Sequence, residues 1–194
     1  MSFTNIYLKS VLKSLEKIEI NQIKQTVNFL HKTKKNNGRI FFLGVGGSAA
    51  NCSHAVNDFR KLCNIECYSP IDNVSELTAR INDEGFDNSF ADWLKVSNLN
   101  KNDLIFIFSV GGGNQKRKVS LNLVEAIKLA KKRKSKILGI IGRKDGYTAK
   151  HADVAIIVPN VDNNLITPLS ESFQSIIWHL LVSHPKLKVN KTKW

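Results

Sequence analysis

The sequence predicts an α/β protein: a doubly wound parallel sheet of five strands with amphipathic helices leading into it. Three observations carry this. Short apolar runs recur from residue 40 onward, helical patterns separate them, and two glycine clusters fall where runs end. Strands buried on both faces read as continuous apolar runs, and strands alternating with helices imply a parallel sheet covered on both sides. In such sheets ligands bind beyond the C-terminal ends of the strands, where the glycine clusters lie.

Ile6, Val11, Leu12, Leu15 and Ile18 form an apolar stripe at helical spacing. A second helix is expected over 20–33, with Ile23, Val27 and Leu30 on one face and Asn36-Asn37-Gly38 ending it. Such stripes need cover, from the same domain or from a second subunit. Strands are expected at 40–43, 104–108, 137–141 and 154–158, with a weaker one around 65–68. Helices are expected over 49–62, from 75–79 toward 94, over 121–132, briefly near 147–150, and in a final helix carrying residues 170–179. The chain reads as one domain over 1–194, with 1–37 as a helical extension and 186–194 as a basic tail.

The 194 residues carry a formal net charge of +13. Much of it lies in runs at 31–35, 131–134 and 186–193. The first two fall where helices should end, and cations there complement the helix dipole. Attraction of anionic phosphosugars or of nucleic acid is the functional alternative. Basic residues are not interleaved with aromatic ones, which argues against a nucleic-acid partner. No apolar run approaches the roughly 20 residues of a membrane span, and residues 1–6 lack the features of a secretory signal. Cys52, Cys63 and Cys67 fit a reduced compartment better than a disulfide framework. The expectation is a cytoplasmic protein with no membrane partner.

Gly44-Val45-Gly46-Gly47-Ser48 follows the first strand and opens a helix, so free N–H groups and the dipole can face an anion. Its spacing is neither the dinucleotide fingerprint nor a nucleotide P-loop. Ser109-Val110-Gly111-Gly112-Gly113-Asn114 follows the third strand, and three glycines let a backbone curl its N–H groups into an anion nest. His54 and Asp58, four apart, share a helix face, with Asn51 one turn before. Glu171, Gln174 and His179 lie on the final helix in an apolar setting, where a histidine is ordinarily a hydrogen-bonded core residue. Eight residues separate Glu171 from His179, about 12 Å along a helix, so both reach one ligand only if Glu171 turns inward. Anion-sized loops, two histidines and two carboxylates suit chemistry on a phosphorylated small molecule.

In chain order, Gly-x-Gly-Gly-Ser-Ala-Ala-Asn ahead of a histidine, Leu77-Thr78-Ala79 with Asn82-Asp83, the Ser109–Asn114 loop and Gly142-Arg143-Lys144-Asp145-Gly146 resemble the sugar isomerase (SIS) domain family. Within it the chain is most similar to the phosphoheptose isomerase group, over about residues 4–183. The resemblance implies a flavodoxin-like sheet and a homotetramer with active sites at subunit contacts. It also implies aldose–ketose isomerisation of sedoheptulose 7-phosphate to D-glycero-D-manno-heptose 7-phosphate, for activated-heptose and surface polysaccharide synthesis. Carried over residue by residue, it implies Zn2+ or a similar divalent ion on His54, Asp58, Glu171 and His179, with Asp58 and His179 as the acid–base pair. Gly47, Ser48, Asn51, Asn82, Asp83, Ser109, Gly111, Gly112, Gly113 and Asn114 fall at sugar- or phosphate-contacting positions. Some relatives are non-catalytic sugar-phosphate sensors or bind replication or transcription proteins; two histidines and two carboxylates at the site positions argue for catalysis. The chain departs from the pattern at Asp58 for glutamate, Glu171 for glutamine, Val45 for asparagine and Leu62 for arginine. Its Ser109–Asn114 loop is glycine-rich where the family's is hydroxyl-rich.

Overall fold

The computed structural model describes residues 1–192. Five strands, β1 (Ile40–Leu43), β2 (Cys67–Tyr68), β3 (Leu104–Ser109), β4 (Lys136–Ile141) and β5 (Val154–Ile157), pair in parallel in the order β2-β1-β3-β4-β5. Every residue of β1 and β3 is buried, as continuous apolar runs require. The chain leaves β1 for β2 on one side and returns to β3 on the other. The loops after β1 and β3 therefore flank the topological switch point.

Helices α2 (Ile20–Lys35), α3 (Gly47–Cys63) and α8 (Ile166–Ser183) cover one face of the sheet over a core that includes Leu30, Phe42, Phe59, Phe106, Phe173 and Trp178. Helices α5 (Ser89–Val96) and α6 (Leu121–Arg133) cover the other, over Phe41, Phe90, Leu94 and Ile127. Between them in sequence, α4 (Val74–Glu84) ends at Gly85, whose φ of +82° breaks what the pattern reads as one long helix. The short α7 (Tyr147–His151) follows β4.

Helix α1 (Phe3–Glu16) departs from its predicted single stripe. Tyr7, Val11 and, just beyond it, Ile18 pack on the core, while Leu8, Leu12 and Leu15 stay more than half exposed. It is apolar on two sides, and this chain covers one. The lysine runs end α2 and α6, where the dipole favours them. The segment read as a basic tail docks on the end of α3: Val189 and Asn190 donate their backbone N–H groups to Leu62 O, and Leu187 is fully buried. Lys193 and Trp194 lie outside the described residues. The three cysteines are buried and unpaired, and burial pushes the Cys63 thiol up to about 11 and that of Cys67 to about 12.

Candidate active site

Helices α3 and α8 both run from the C-terminal edge of the sheet toward its other edge, side by side. Polar side chains set their register. Asn51 Nδ2 donates to Glu171 O (2.9 Å) and to Gln174 Oε1 (3.0 Å), and Gln174 Nε2 donates to Ser48 Oγ (3.0 Å). Ser48 and Gln174 are fully buried, so these bonds replace water that neither group can reach.

About two turns further along, the same register brings His54, Asp58 and His179 together, one ligand atom from each lying within 4.8 Å of the others. Asp58 Oδ2 is 3.8 Å from His54 Nε2 and 3.8 Å from His179 Nε2. Its other oxygen accepts from Asn57 Nδ2 at 2.8 Å. The Asp58 side chain is recessed, 14% exposed, between histidines that are 57% and 49% exposed. Buried Trp178 backs both rings, with its centroid 3.5 Å from that of His179 and 4.6 Å from that of His54.

The tautomer of His179 follows from its partner. Nδ1 lies 2.8 Å from Ser175 O, which can only accept, so Nδ1 carries the proton and the Nε2 lone pair faces Asp58. This is the backbone-oriented imidazole usual in metal sites. Two imidazole nitrogens and one carboxylate oxygen, converging with open solvent beside them, match a three-ligand zinc site with a free fourth position. The residues present fit the ion.

Glu171 does not join this cluster. Its carboxylate lies at the N-terminal end of α3, so close to Gly47 that an added Cβ there would meet Oε2 at 2.6 Å and Oε1 at 2.7 Å. The cause is the two helical turns between residues 171 and 179. Gly47 faces a protein carboxylate where the sequence suggests a bound anion. Ser48 and the Asn51 amide nitrogen are occupied in tying α3 to α8.

The remaining candidates lie elsewhere. Asn82 and Asp83 sit on α4, bonded to each other at 2.7 Å, and α4 packs Leu77 against the core on the opposite face of the sheet. Ser109 is buried, its hydroxyl accepting from Gly112 N. Gly112 and Gly113 adopt φ of +70° and +78° and are clamped to α7, Gly112 O accepting from Thr148 N and Oγ1 and Gly113 O from Tyr147 N. Gly111 remains open. Asn114 pairs with Val119 through two backbone bonds, closing a small hairpin with Lys116, Arg117 and Lys118 at its tip. From Gly47 to Asp58 the path along α3 is about 16 Å. The loop after β1 therefore stands apart from the histidine–aspartate cluster of its own chain.

Two participants have no signature in the motifs: Ser175, which orients His179 through its carbonyl, and Trp178, which backs both rings. The four-residue spacing of 175 and 179 is the only sequence signal for the first.

The SIS domain family model matches residues 6–142. The chain belongs to the SIS domain family. This SIS domain is 30% identical over 174 residues to a phosphoheptose isomerase of Helicobacter pylori, covering 87% of this chain and 84% of the relative. It is 32% identical over 160 residues to the lincomycin biosynthesis protein LmbN of Streptomyces lincolnensis, covering 76% of this chain and 56% of LmbN. Its fold superposes on the phosphoheptose isomerase GmhA of Neisseria gonorrhoeae with a TM-score of 0.80 at 23% identity, over 92% of this chain and 95% of that one. The five-stranded parallel sheet with flanking helices is the architecture these structures share with the SIS domain.

Proposed function

We propose that the protein is an aldose–ketose isomerase acting on a seven-carbon sugar phosphate, interconverting sedoheptulose 7-phosphate and D-glycero-D-manno-heptose 7-phosphate. The observation that carries this reading is the convergence of His54, Asp58 and His179 between α3 and α8. The relatives named phosphoheptose isomerase support the substrate class.

Isomerisation moves a proton between C1 and C2 of the sugar through an enediol, so it needs a proton acceptor beside the carbon and a donor at the carbonyl oxygen. Asp58 Oδ2 is the free carboxylate oxygen, its partner oxygen being held by Asn57, and it carries the carbon-bound proton. His179, locked with its proton on Nδ1, presents Nε2 to take up a hydroxyl proton and return it. His54, on the other side of Asp58, steadies the carboxylate. A zinc or similar divalent ion held by His54, Asp58 and His179 would supply electrophilic stabilisation of developing oxyanion charge in place of the proton transfer at His179 Nε2, whose single lone pair serves one role at a time. Glu171 would stay outside that ligand set, at Gly47.

The remaining contacts would come from a second copy. The distance along α3, the placement of Asn82 and Asp83 across the sheet, and exposed Ile176 and Leu180 flanking His179 support a homotetramer. In it, Ser109, Gly111–Asn114, Asn82 and Asp83 of one subunit would face the α3–α8 groove of another and anchor the phosphate end, which supplies orientation. The chain would act as a single domain in the cytoplasm; among the described residues no helix is long and apolar enough to cross a membrane.

Sedoheptulose 7-phosphate incubated with the protein in deuterated water tests the proposal. Deuterium should enter C2 of the aldose product, because the enediol is reprotonated from an exchanging group. Neither interconversion nor label after prolonged incubation with zinc would overturn it.

A further inference from the structure

A cavity of about 550 Å³ opens beyond the C-terminal ends of β4 and β5, two strands away from the switch point. Its floor is apolar, formed by Pro159 and Ile166 among others, and its rim carries Arg143, Lys144, Asp145, Asn160 and Asn163. The residues 142–146 motif supplies the basic side of this rim and has no part in the His54–Asp58–His179 cluster. Ile166 begins α8 and His179 lies thirteen residues along it, about 20 Å away. The cavity and the groove are therefore separate places on one chain.

The walls are fixed. Ser14 of α1 donates to Pro159 O at 3.1 Å, Val158 N donates to Ile141 O at 2.8 Å, and Gly142 N donates to Val110 O at 3.0 Å. On the rim, Asn160 Nδ2 donates to Asn163 Oδ1 at 2.6 Å. That bond leaves Asn160 Oδ1 as an acceptor and Asn163 Nδ2 as a donor side by side, the pairing that vicinal sugar hydroxyls require. Arg143 gives its Nε and Nη2 donors to the Asp145 carboxylate through two bonds of 3.0 Å, which fixes the guanidinium plane and leaves Nη1 as its free end. Lys144 is exposed beside it.

We propose that this cavity is a second binding site, for a phosphorylated sugar. Lys144 and the free Nη1 of Arg143 take the phosphate, the Asn160–Asn163 pair reads hydroxyls, and Pro159 with Ile166 meets the apolar face of the carbon chain. The proposal does not rest on the isomerase reading.

Titration calorimetry with sorbitol 6-phosphate, which has no carbonyl to isomerise, separates the two sites. The wild-type protein should bind one equivalent per chain at the cavity, and a second where the groove also takes sugar phosphate. The double variant Arg143→Gln/Lys144→Gln removes charge from exposed positions, and should lose one equivalent through at least roughly tenfold weaker binding. Asp58→Asn/His179→Gln should retain the cavity equivalent. Asn163→Leu, which keeps the charges but removes the hydroxyl reader, should weaken the same equivalent. If the Arg143/Lys144 variant binds with unchanged stoichiometry and affinity, the cavity is not a site. Loss of all binding in that variant alone would uphold the cavity and count against sugar phosphate in the groove.

Discussion

Substituting Gly47 by alanine tests where Glu171 is. Position 47 is the first residue of α3 and its φ is not in the left-handed region, so the backbone accepts alanine. Replacing a helical glycine by alanine in isolation stabilises by about 0.5 kcal/mol or more. Here the new Cβ would lie 2.6–2.7 Å from three atoms of the Glu171 carboxyl group. Ordinary contact needs nearly an ångström more, so the carboxylate must swing aside; it is the free end of a flexible, half-buried side chain, and a changed rotamer costs only about 0.5–1 kcal/mol. Gly47→Ala should therefore leave stability nearly unchanged when Glu171 is present, and stabilise by about 0.5 kcal/mol in a Glu171→Ala background. For a chain of this size that is an almost unmoved melting temperature against a rise of roughly 1–2 °C.

Thermal unfolding of the wild type, both single variants and the double variant closes the cycle, and the coupling should be about 0.5–1 kcal/mol. Zinc affinity of Glu171→Ala, measured on the same samples, should match the wild type. Equal stabilisation by Gly47→Ala in both backgrounds, together with weakened zinc binding in Glu171→Ala, would refute the reasoning and place Glu171 with His54, Asp58 and His179.

Three further outcomes are expected. Asp58→Asn and His179→Gln should each lower isomerisation by at least roughly 10²-fold, read as turnover of sedoheptulose 7-phosphate with metal content measured alongside; His54→Ala should weaken zinc binding by about tenfold or more. Leu187→Ala should destabilise by about 2–4 kcal/mol in urea titration, because Leu187 is fully buried; an unchanged midpoint would show the segment to be a free tail. Burial raises the folded-state thiols of Cys63 and Cys67 to about 11 and about 12, above the ordinary value near 8.5. Folding thus holds these protons more tightly, so their contribution is complete below about pH 8.5 and declines as pH rises toward those values. The urea midpoint should fall over that window, and fall less steeply in Cys67→Ala.

The sheet was legible because its signal is local: four apolar runs and their helices need only the neighbouring residues. The β2 strand was faint because it is two residues long at the sheet edge. The pairing of His54 with Asp58 was equally local, fixed by four-residue spacing on one helix. What the chain concealed was the relation between helices. The register of α3 on α8 depends on Asn51, Gln174 and Ser48, and only that register puts Trp178 behind both imidazoles and His179 opposite Asp58. It also carries Glu171 to Gly47, a contact whose sole trace in the sequence is a glycine that needs no special backbone conformation.

The motif order hid something larger. Asn82-Asp83 and the Ser109–Asn114 loop follow the histidine–aspartate helix in the sequence as they would for one site, yet α4 lies across the sheet and the loop is clamped to α7. A linear pattern records the order of residues and is silent on which of them one copy of the chain brings together. The exposed leucines of α1 and the apolar residues bordering His179 are the physical remainder of that silence. They are apolar surfaces that this chain leaves uncovered, one of them beside the histidine–aspartate cluster.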